Sequence, residues 1–219
     1  LRRPGRARPW PEVAQAPVTR PVFILGMPRT GTTLASYLMA ADPANRSMLR
    51  WEPYNLNPPA APGALKTDPR CQAELVKDEA MLKAAPHIAA AHWEPGDGPT
   101  ECVHLVAQDF RSLMFAVIAT VPTYHDWILF TDMASAFAHR KRALQVMQST
   151  NPGRWVLKMP SDGLFIRQIF KTFPDARVIW THRDPYAAFA SSINMRGASR
   201  PIFEKDEGRE YMRQRFPMQ

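Results

Sequence analysis

The sequence predicts a three-layer α/β domain of the P-loop type, in which helices flank both faces of a central parallel sheet. Two observations favour this class: short apolar runs alternate with helical patterns towards both ends of the chain, and helical stretches fill the middle. A third is that each of three predicted strands is followed by a basic residue, namely Arg29, Lys158 or Arg183. Ligands of open parallel sheets bind beyond the carboxyl ends of the strands. These residues are therefore expected to share one site.

The first half of the chain predicts one strand and several helices. A buried strand is predicted over 22–25, where four apolar residues follow Pro21 and precede Gly26. A helix over 32–41 ends at Asp42-Pro43, and a proline-rich loop occupies 51–63. Further helices are predicted over 72–84, 100–120 and 131–149, the second with apolar residues at helical spacing.

The second half of the chain returns to the alternation of strand and helix. A strand over 155–157 leads into Lys158, and Ser161 is expected to cap a helix that ends near 172. A strand over 177–181 then leads to Arg183. Asp184-Pro185 supplies an N-cap and a proline at the first position of a helix that reaches about 195.

Length and composition exclude several classes of protein. The 219 residues fit one domain that is large enough to bury a core without disulfides. The longest apolar run, about nine residues from Leu113 to Val121, is too short to cross a bilayer. Two cysteines, Cys71 and Cys102, provide neither a disulfide framework nor a zinc site. A cytoplasmic protein with no transmembrane segment and no metal is therefore predicted.

Charge and proline content divide the chain into three parts. Residues 1–20 form a basic, proline-rich arm with five arginines, and residues 21–196 form the predicted domain. Residues 197–219 form a charged segment that stops without a recognisable final element, so the sequence is expected to be a piece of a longer polypeptide. The net charge of +8 comes largely from the two ends, which makes it weak support for nucleic-acid binding.

The most specific motif is the turn between the first strand and its helix, Gly26-Met27-Pro28-Arg29-Thr30-Gly31-Thr32-Thr33. It has the spacing of a Walker A loop, except that Thr32 stands where the lysine for a triphosphate is expected. Backbone N–H groups and a helix N-terminus still face an anion there. Because the strand over 177–181 leads to Arg183 rather than to an acidic metal ligand, the loop predicts a 5′-phosphate-type anion without magnesium.

These residues resemble a known family. Pro28-Arg29-Thr30-Gly31-Thr32-Thr33 resembles the 5′-phosphosulfate-binding loop of sulfotransferases that use 3′-phosphoadenosine 5′-phosphosulfate (PAPS). Arg183 and Ser191, eight residues apart, resemble the arginine and serine that hold the 3′-phosphate of that donor. Trp180-Thr181-His182-Arg183-Asp184-Pro185 is typical of the bacterial branch. The resemblance implies PAPS as co-substrate and an acceptor that carries a hydroxyl group. The implied donor-binding residues are Arg29, Thr30, Gly31, Thr32, Thr33, Arg183 and Ser191.

The resemblance also implies catalytic roles. Arg29 and Lys158 are expected to meet the charge that develops on the leaving phosphate. Glu52 follows the first helix, where the bacterial and tyrosylprotein branches have a glutamate, and is predicted to be the general base. The base histidine of the cytosolic eukaryotic branch is replaced by Pro160. A histidine that bacterial relatives often carry is replaced by Asp162.

Several alternatives stay open at this stage. His92, His104 and His125 are other candidates for the base. A P-loop small-molecule kinase that uses ATP and magnesium, or a basic nucleic-acid-binding module, are alternatives to a sulfotransferase. A sulfotransferase piece that is inactive because it is incomplete is a third, since no counterpart of the family's late donor-binding loop precedes Gln219.

Overall fold

Four parallel strands form the centre of the protein. The computed structural model describes residues 11–84 and 93–199, with side chains described as far as Met195. The strands are β1 Val22–Gly26, β2 Asn45–Ser47, β3 Arg154–Lys158 and β4 Arg177–Thr181. Their order across the sheet is β2-β3-β1-β4, and every pair is parallel. This confirms the predicted α/β class with a central parallel sheet.

Helices fill the connections between the strands. In chain order they are α1 Pro11–Gln15, α2 Thr32–Ala40, α3 Pro69–Ala84, α4 Val103–Ala107, α5 Met114–Ile118, α6 Pro122–Phe130, α7 Ala134–Gln148, α8 Ile166–Thr172 and α9 Pro185–Ser199. A 3₁₀ turn, Pro160–Phe165, precedes α8. Within the described ranges, no helix has both the length and the apolar character needed to span a bilayer.

Side chains of β1 alternate between two apolar layers, as the period of a strand requires. Val22 and Ile24 pack on the side of α2, against residues such as Met39. Phe23 and Leu25 face the opposite layer, which contains side chains from α4, α7 and α8. All five residues of β1 are buried. The strand therefore lies inside a three-layer arrangement, and its carboxyl end is fixed by packing on both faces.

The middle of the chain departs from the single helix predicted over 100–120. Two short helices, α4 and α5, are separated by Phe110, whose φ of 54° is left-handed and breaks the helical path. The Tyr124 hydroxyl from α6 donates to the Phe110 carbonyl at 2.9 Å and accepts from the Ser112 N–H at 2.9 Å. The turn is therefore stabilised by a tertiary contact, which helical spacing of apolar residues does not reveal.

Strand β2 and the turn before α8 also differ from the predictions. The three residues of β2 are Asn, Arg and Ser, with no apolar run, and they pair with β3 from Asn45↔Arg154 to Ser47↔Val156. The helix predicted from Ser161 begins instead as the 3₁₀ turn, and α8 starts at Ile166.

The segment 94–102, here called the crossing segment, runs along the ends of β2 and β3. The Thr100 N–H donates to the Met48 carbonyl at 2.9 Å, and the Cys102 N–H donates to the Lys158 carbonyl at 2.8 Å. Asp78 of α3 accepts the Gly96 N–H at 2.7 Å, which ties the segment to a helix as well. This path brings two glutamates, Glu94 and Glu101, to the carboxyl end of β3.

Candidate active site

The loop over residues 26–33, here called the phosphate loop, is locked against β4. Gly26 has a φ of 149°, and a Cβ there would lie 2.5 Å from the Thr181 carbonyl oxygen, so glycine is required. The Thr30 hydroxyl lies 2.7 Å from the Thr181 hydroxyl and donates to the Met27 carbonyl at 2.7 Å. The loop is therefore preorganised by its neighbours.

The phosphate loop opens into α2 with its N–H groups directed outward. Gly31, with a φ of 96°, precedes the first helical residue, and no side chain in the described part of the chain caps it. First-turn N–H groups without a side-chain cap, together with the helix dipole, favour an anion. A cleft of about 340 Å³ lies over this end of the helix. It is lined by Arg29, Thr30, Gly31, Thr32, Thr33 and Arg183.

Arg29 joins the phosphate loop to α9. Its Nε donates to the Ser191 hydroxyl at 3.1 Å, and its carbonyl accepts a hydrogen bond from Arg183 Nη1 at 3.3 Å. Arg29 itself has a left-handed φ of 69°. The structure thus brings together all seven residues that the sequence predicts as donor-binding: six line the cleft, and Ser191 contacts one of them.

Lys158 lies at the end of β3, 1% exposed, in a cluster with Thr33, Glu94 and Glu101. Its Nζ donates to the Thr33 hydroxyl at 3.3 Å and also to a Glu94 oxygen, and it lies 3.2 Å from a Glu101 oxygen. We call these four residues the lysine cluster. Because Thr33 also lines the cleft, the cluster borders the anion site.

The electrostatics of the lysine cluster keep Lys158 charged. Burial lowers the pKa of Lys158, but the attraction of Glu101 and Glu94 outweighs it, so the pKa lies above the ordinary 10.5. One cation paired with two carboxylates leaves a net negative charge beside a cleft that carries Arg29 and Arg183. The site therefore combines a cationic side, suited to phosphate, with an acidic side.

The two glutamates of the lysine cluster differ in exposure. The Glu94 side chain is 10% exposed, and its second oxygen accepts from the Thr100 hydroxyl at 2.6 Å. The Glu101 side chain is 21% exposed. Sequence reasoning interpreted Glu101 as a first-turn helix acid and passed over Glu94. Glu94 lies 64 positions from Lys158, and no local pattern links such distant residues.

Glu52, the predicted general base, lies elsewhere in the structure. It is 3% exposed, and Arg46 of β2 binds both of its carboxylate oxygens. One of these oxygens also accepts the Leu49 N–H at 2.8 Å. The carboxylate does not line the phosphate-loop cleft. Its contacts are those of a buried ion pair that fixes the chain after β2, and they do not support a role in proton transfer.

The histidines proposed as alternative bases occupy different places. His104 Nδ1 lies 2.7 Å from the Tyr54 hydroxyl, and burial lowers the pKa of this imidazole, so the ring is neutral at pH 7. His125 lies on α6 with its Nδ1 3.5 Å from Asp126. His92 lies outside the described residues.

Asp162, at the position where bacterial relatives often have a histidine, belongs to the core. It is 0% exposed and accepts two hydrogen bonds from Arg140 Nη1, at 2.8 and 3.1 Å. The Arg140 guanidinium lies over the ring of Phe137, 4.1 Å from its centroid. Nearby Cys102 is fully buried, and burial raises the pKa of its thiol to about 12. Neither side chain is placed for chemistry at the cleft.

A second cleft, of about 500 Å³, lies at the amino end of β3 between the segment after α1 and the end of α7. It is lined by residues such as Arg20, Gln148 and Arg154. Ligands of parallel sheets bind at the opposite edge, so the phosphate-loop cleft is the better candidate site. Among the described residues, no group of three or more His, Cys, Asp or Glu side chains is arranged to hold a metal ion.

A parallel sheet with an anion-binding loop after its first strand and basic residues at two further strand ends defines an α/β protein of the P-loop type. Comparison with known proteins narrows this class. A family model described as "Sulfotransferase family" matches residues 21–216. The chain therefore belongs to the sulfotransferase family.

Two solved structures from mycobacteria are similar to this protein. Sulfotransferase STF9 from Mycobacterium avium is 44% identical, with a TM-score of 0.83 over 94% of this chain and 55% of the STF9 chain. Sulfotransferase STF1 from Mycobacterium tuberculosis is 26% identical, with a TM-score of 0.82 over 94% of this chain and 58% of the STF1 chain. No curated protein matches the chain. The chain thus spans a little over half the length of these two solved relatives.

Proposed function

We propose that the protein transfers a sulfuryl group from PAPS to a hydroxyl group of a small or lipid-like acceptor. The observation that carries this proposal is the cleft in which the phosphate loop meets Arg183 and Ser191 on one side and Lys158 on the other. A donor with phosphate groups at both the 5′ and the 3′ position has two separate anions to bind. The cleft offers two separate sets of donors for them.

The roles of the donor-binding residues follow from their contacts. The N-terminal turn of α2, with Thr30, Gly31, Thr32 and Thr33, binds the 5′-phosphosulfate through backbone N–H and hydroxyl groups. Arg183 and Ser191 bind the 3′-phosphate, since an arginine fork suits phosphate oxygens. Arg29 lies between the two sets, because its backbone belongs to the phosphate loop and its guanidinium contacts Ser191.

Sulfuryl transfer breaks the bond from sulfur to the bridging oxygen of the donor and forms a bond from sulfur to the acceptor oxygen. The leaving phosphate gains charge as the bridging bond breaks, and cations placed beside it stabilise the transition state. Arg29 and Lys158 take this role, and the pairing of Lys158 with two carboxylates keeps it protonated. The proton of the acceptor hydroxyl passes to a general base.

For the base, the contacts favour Glu101 over the sequence-based candidate, Glu52. Glu101 belongs to the lysine cluster beside the cleft and is the more exposed of its two glutamates, as contact with an acceptor requires. In contrast, both Glu52 oxygens are engaged by Arg46 and the Leu49 N–H. Glu52 stays the competing candidate, and the two assignments predict opposite results on substitution.

The first test of the function is nucleotide binding in the absence of metal. Adenosine 3′,5′-bisphosphate in the presence of a chelator is expected to raise the melting temperature. A ligand at a hundred times its Kd stabilises the native state by about 2.7 kcal/mol, which for a domain of this size corresponds to roughly 5–10 °C. The measurement is a thermal melt with each nucleotide. An equal or larger shift with ATP that depends on magnesium would support the kinase instead.

The second test concerns recognition of the 3′-phosphate. Substitution of Arg183 by Ala is expected to weaken adenosine 3′,5′-bisphosphate by tenfold or more, because a charge-assisted hydrogen bond contributes about 1.5–3 kcal/mol. Adenosine 5′-monophosphate, which lacks the group, should lose much less affinity. Calorimetric titration of both nucleotides measures the difference. Equal weakening of the two would mean that Arg183 does not read the 3′-phosphate.

A further inference from the structure

We propose that Ser191 is a positioning residue for Arg29, so that the 3′ end of the donor site sets the geometry of the 5′ end. This inference rests on the proposed function and extends it. It concerns the link between two sets of residues that the donor contacts separately.

The link consists of two hydrogen bonds between the phosphate loop and the strand-helix unit that follows it. The Arg29 Nε–H donates to the Ser191 hydroxyl, and Arg183 donates to the Arg29 carbonyl. One bond holds the guanidinium and the other holds the peptide of a residue with left-handed φ. Both partners of Arg29 are the residues assigned to the 3′-phosphate.

The helix that carries Ser191 is itself fixed to the phosphate loop. The Ser192 hydroxyl, 9% exposed, donates to the Ala188 carbonyl at 2.9 Å and lies 3.5 Å from the Pro28 carbonyl. Pro28 directly precedes Arg29 in the loop. The Ser191 hydroxyl is therefore presented to Arg29 from a helix surface that contacts the same loop, and its position does not depend on a long flexible connection.

The consequence for binding follows from the flexibility of arginine. Ordering a long exposed side chain at a binding site costs free energy, and a hydrogen bond that orders it beforehand removes part of that cost. Ser191 therefore supports binding of the 5′-phosphosulfate even when the ligand has no 3′-phosphate. By reciprocity, a 3′-phosphate on Ser191 and Arg183 changes the affinity of the 5′ end.

The test is a double-mutant cycle with adenosine 5′-phosphosulfate, which carries the 5′ group and lacks the 3′-phosphate. Calorimetry is carried out on the unsubstituted protein, Ser191→Ala, Arg29→Ala and the double variant. We expect Ser191→Ala to weaken this nucleotide roughly two- to tenfold when Arg29 is present, as for one side chain that is no longer preordered. In the Arg29→Ala background the same change should have no effect.

Two further variants separate positioning from a general effect on the helix. Ser191→Thr retains the acceptor oxygen and should restore the affinity. Asn194→Ala, an exposed change on the same helix, should leave it unaltered. The proposal is overturned if Ser191→Ala weakens only adenosine 3′,5′-bisphosphate, or if it weakens the phosphosulfate equally with and without Arg29. If the unsubstituted protein binds neither nucleotide, the proposed function itself fails, and this inference fails with it.

Discussion

Replacing Glu101 by Gln is expected to lower the rate of sulfuryl transfer by about 10²–10⁴-fold, the usual span for loss of a general base. The reason is that Gln keeps the shape of the side chain but does not accept the proton of the acceptor hydroxyl. Nucleotide affinity should stay nearly unchanged, since Glu101 faces Lys158 and is not assigned to the donor. The measurement is transfer from radiolabelled PAPS to a panel of alcohols, read with the acceptor that the unsubstituted protein uses.

Glu94→Gln is the matched control for this experiment. Glu94 contacts the same Lys158 nitrogen, but its second oxygen is bound by Thr100 and its side chain is less exposed. Its substitution should lower the rate less than that of Glu101, because the charge near Lys158 changes equally while the base is retained. A loss confined to Glu94→Gln would transfer the role of base to Glu94.

Replacing Glu52 by Gln is expected to lower the free energy of unfolding by about 3–5 kcal/mol, as for one partner removed from a buried ion pair. Arg46 is 4% exposed and would keep its charge without the carboxylate that compensates it. Urea denaturation measures the change. The control is Glu79→Gln, whose pair with Lys83 is 4.0 Å apart and largely exposed, and which should have almost no effect.

The Glu52 and Glu101 substitutions together decide between the two candidates for the base. If Glu101 is the base, stability and turnover separate: one substitution affects mainly folding, and the other mainly the rate. If Glu52→Gln instead abolishes transfer in a protein of unchanged stability, while Glu101→Gln retains it, then the sequence-based assignment is right. The assignment drawn from the contacts is then wrong.

The parts of the fold that could be predicted from sequence are those with a local signal. Strand β1 is an apolar run between Pro21 and the phosphate loop, and the loop itself has a fixed spacing of Gly and Thr. Strand β2 has no such signal, because three polar residues become a strand only by pairing with β3. The turn at Phe110 likewise depends on the hydroxyl of Tyr124, which a single helical pattern does not contain.

The same distinction applies to the candidate site. The donor-binding residues lie in two short motifs, so their spacing could be recognised, and the structure gathers them around one cleft. The lysine cluster has no motif, because the crossing segment brings its glutamates to Lys158 through contacts between distant parts of the chain. Glu52 was chosen for its position after the first helix, and sequence position alone does not show which way a carboxylate faces.

The strand order has a consequence for how the protein folds during synthesis. Strand β1 is made early, yet both of its neighbours, β3 and β4, come from residues 154–181. At ribosomal rates of about 5–20 residues per second, the apolar β1 waits roughly ten to thirty seconds for its partners. Such non-local pairing is slow and exposes the nascent chain to aggregation. The phosphate loop, which depends on contact with Thr181, therefore becomes ordered only late in folding.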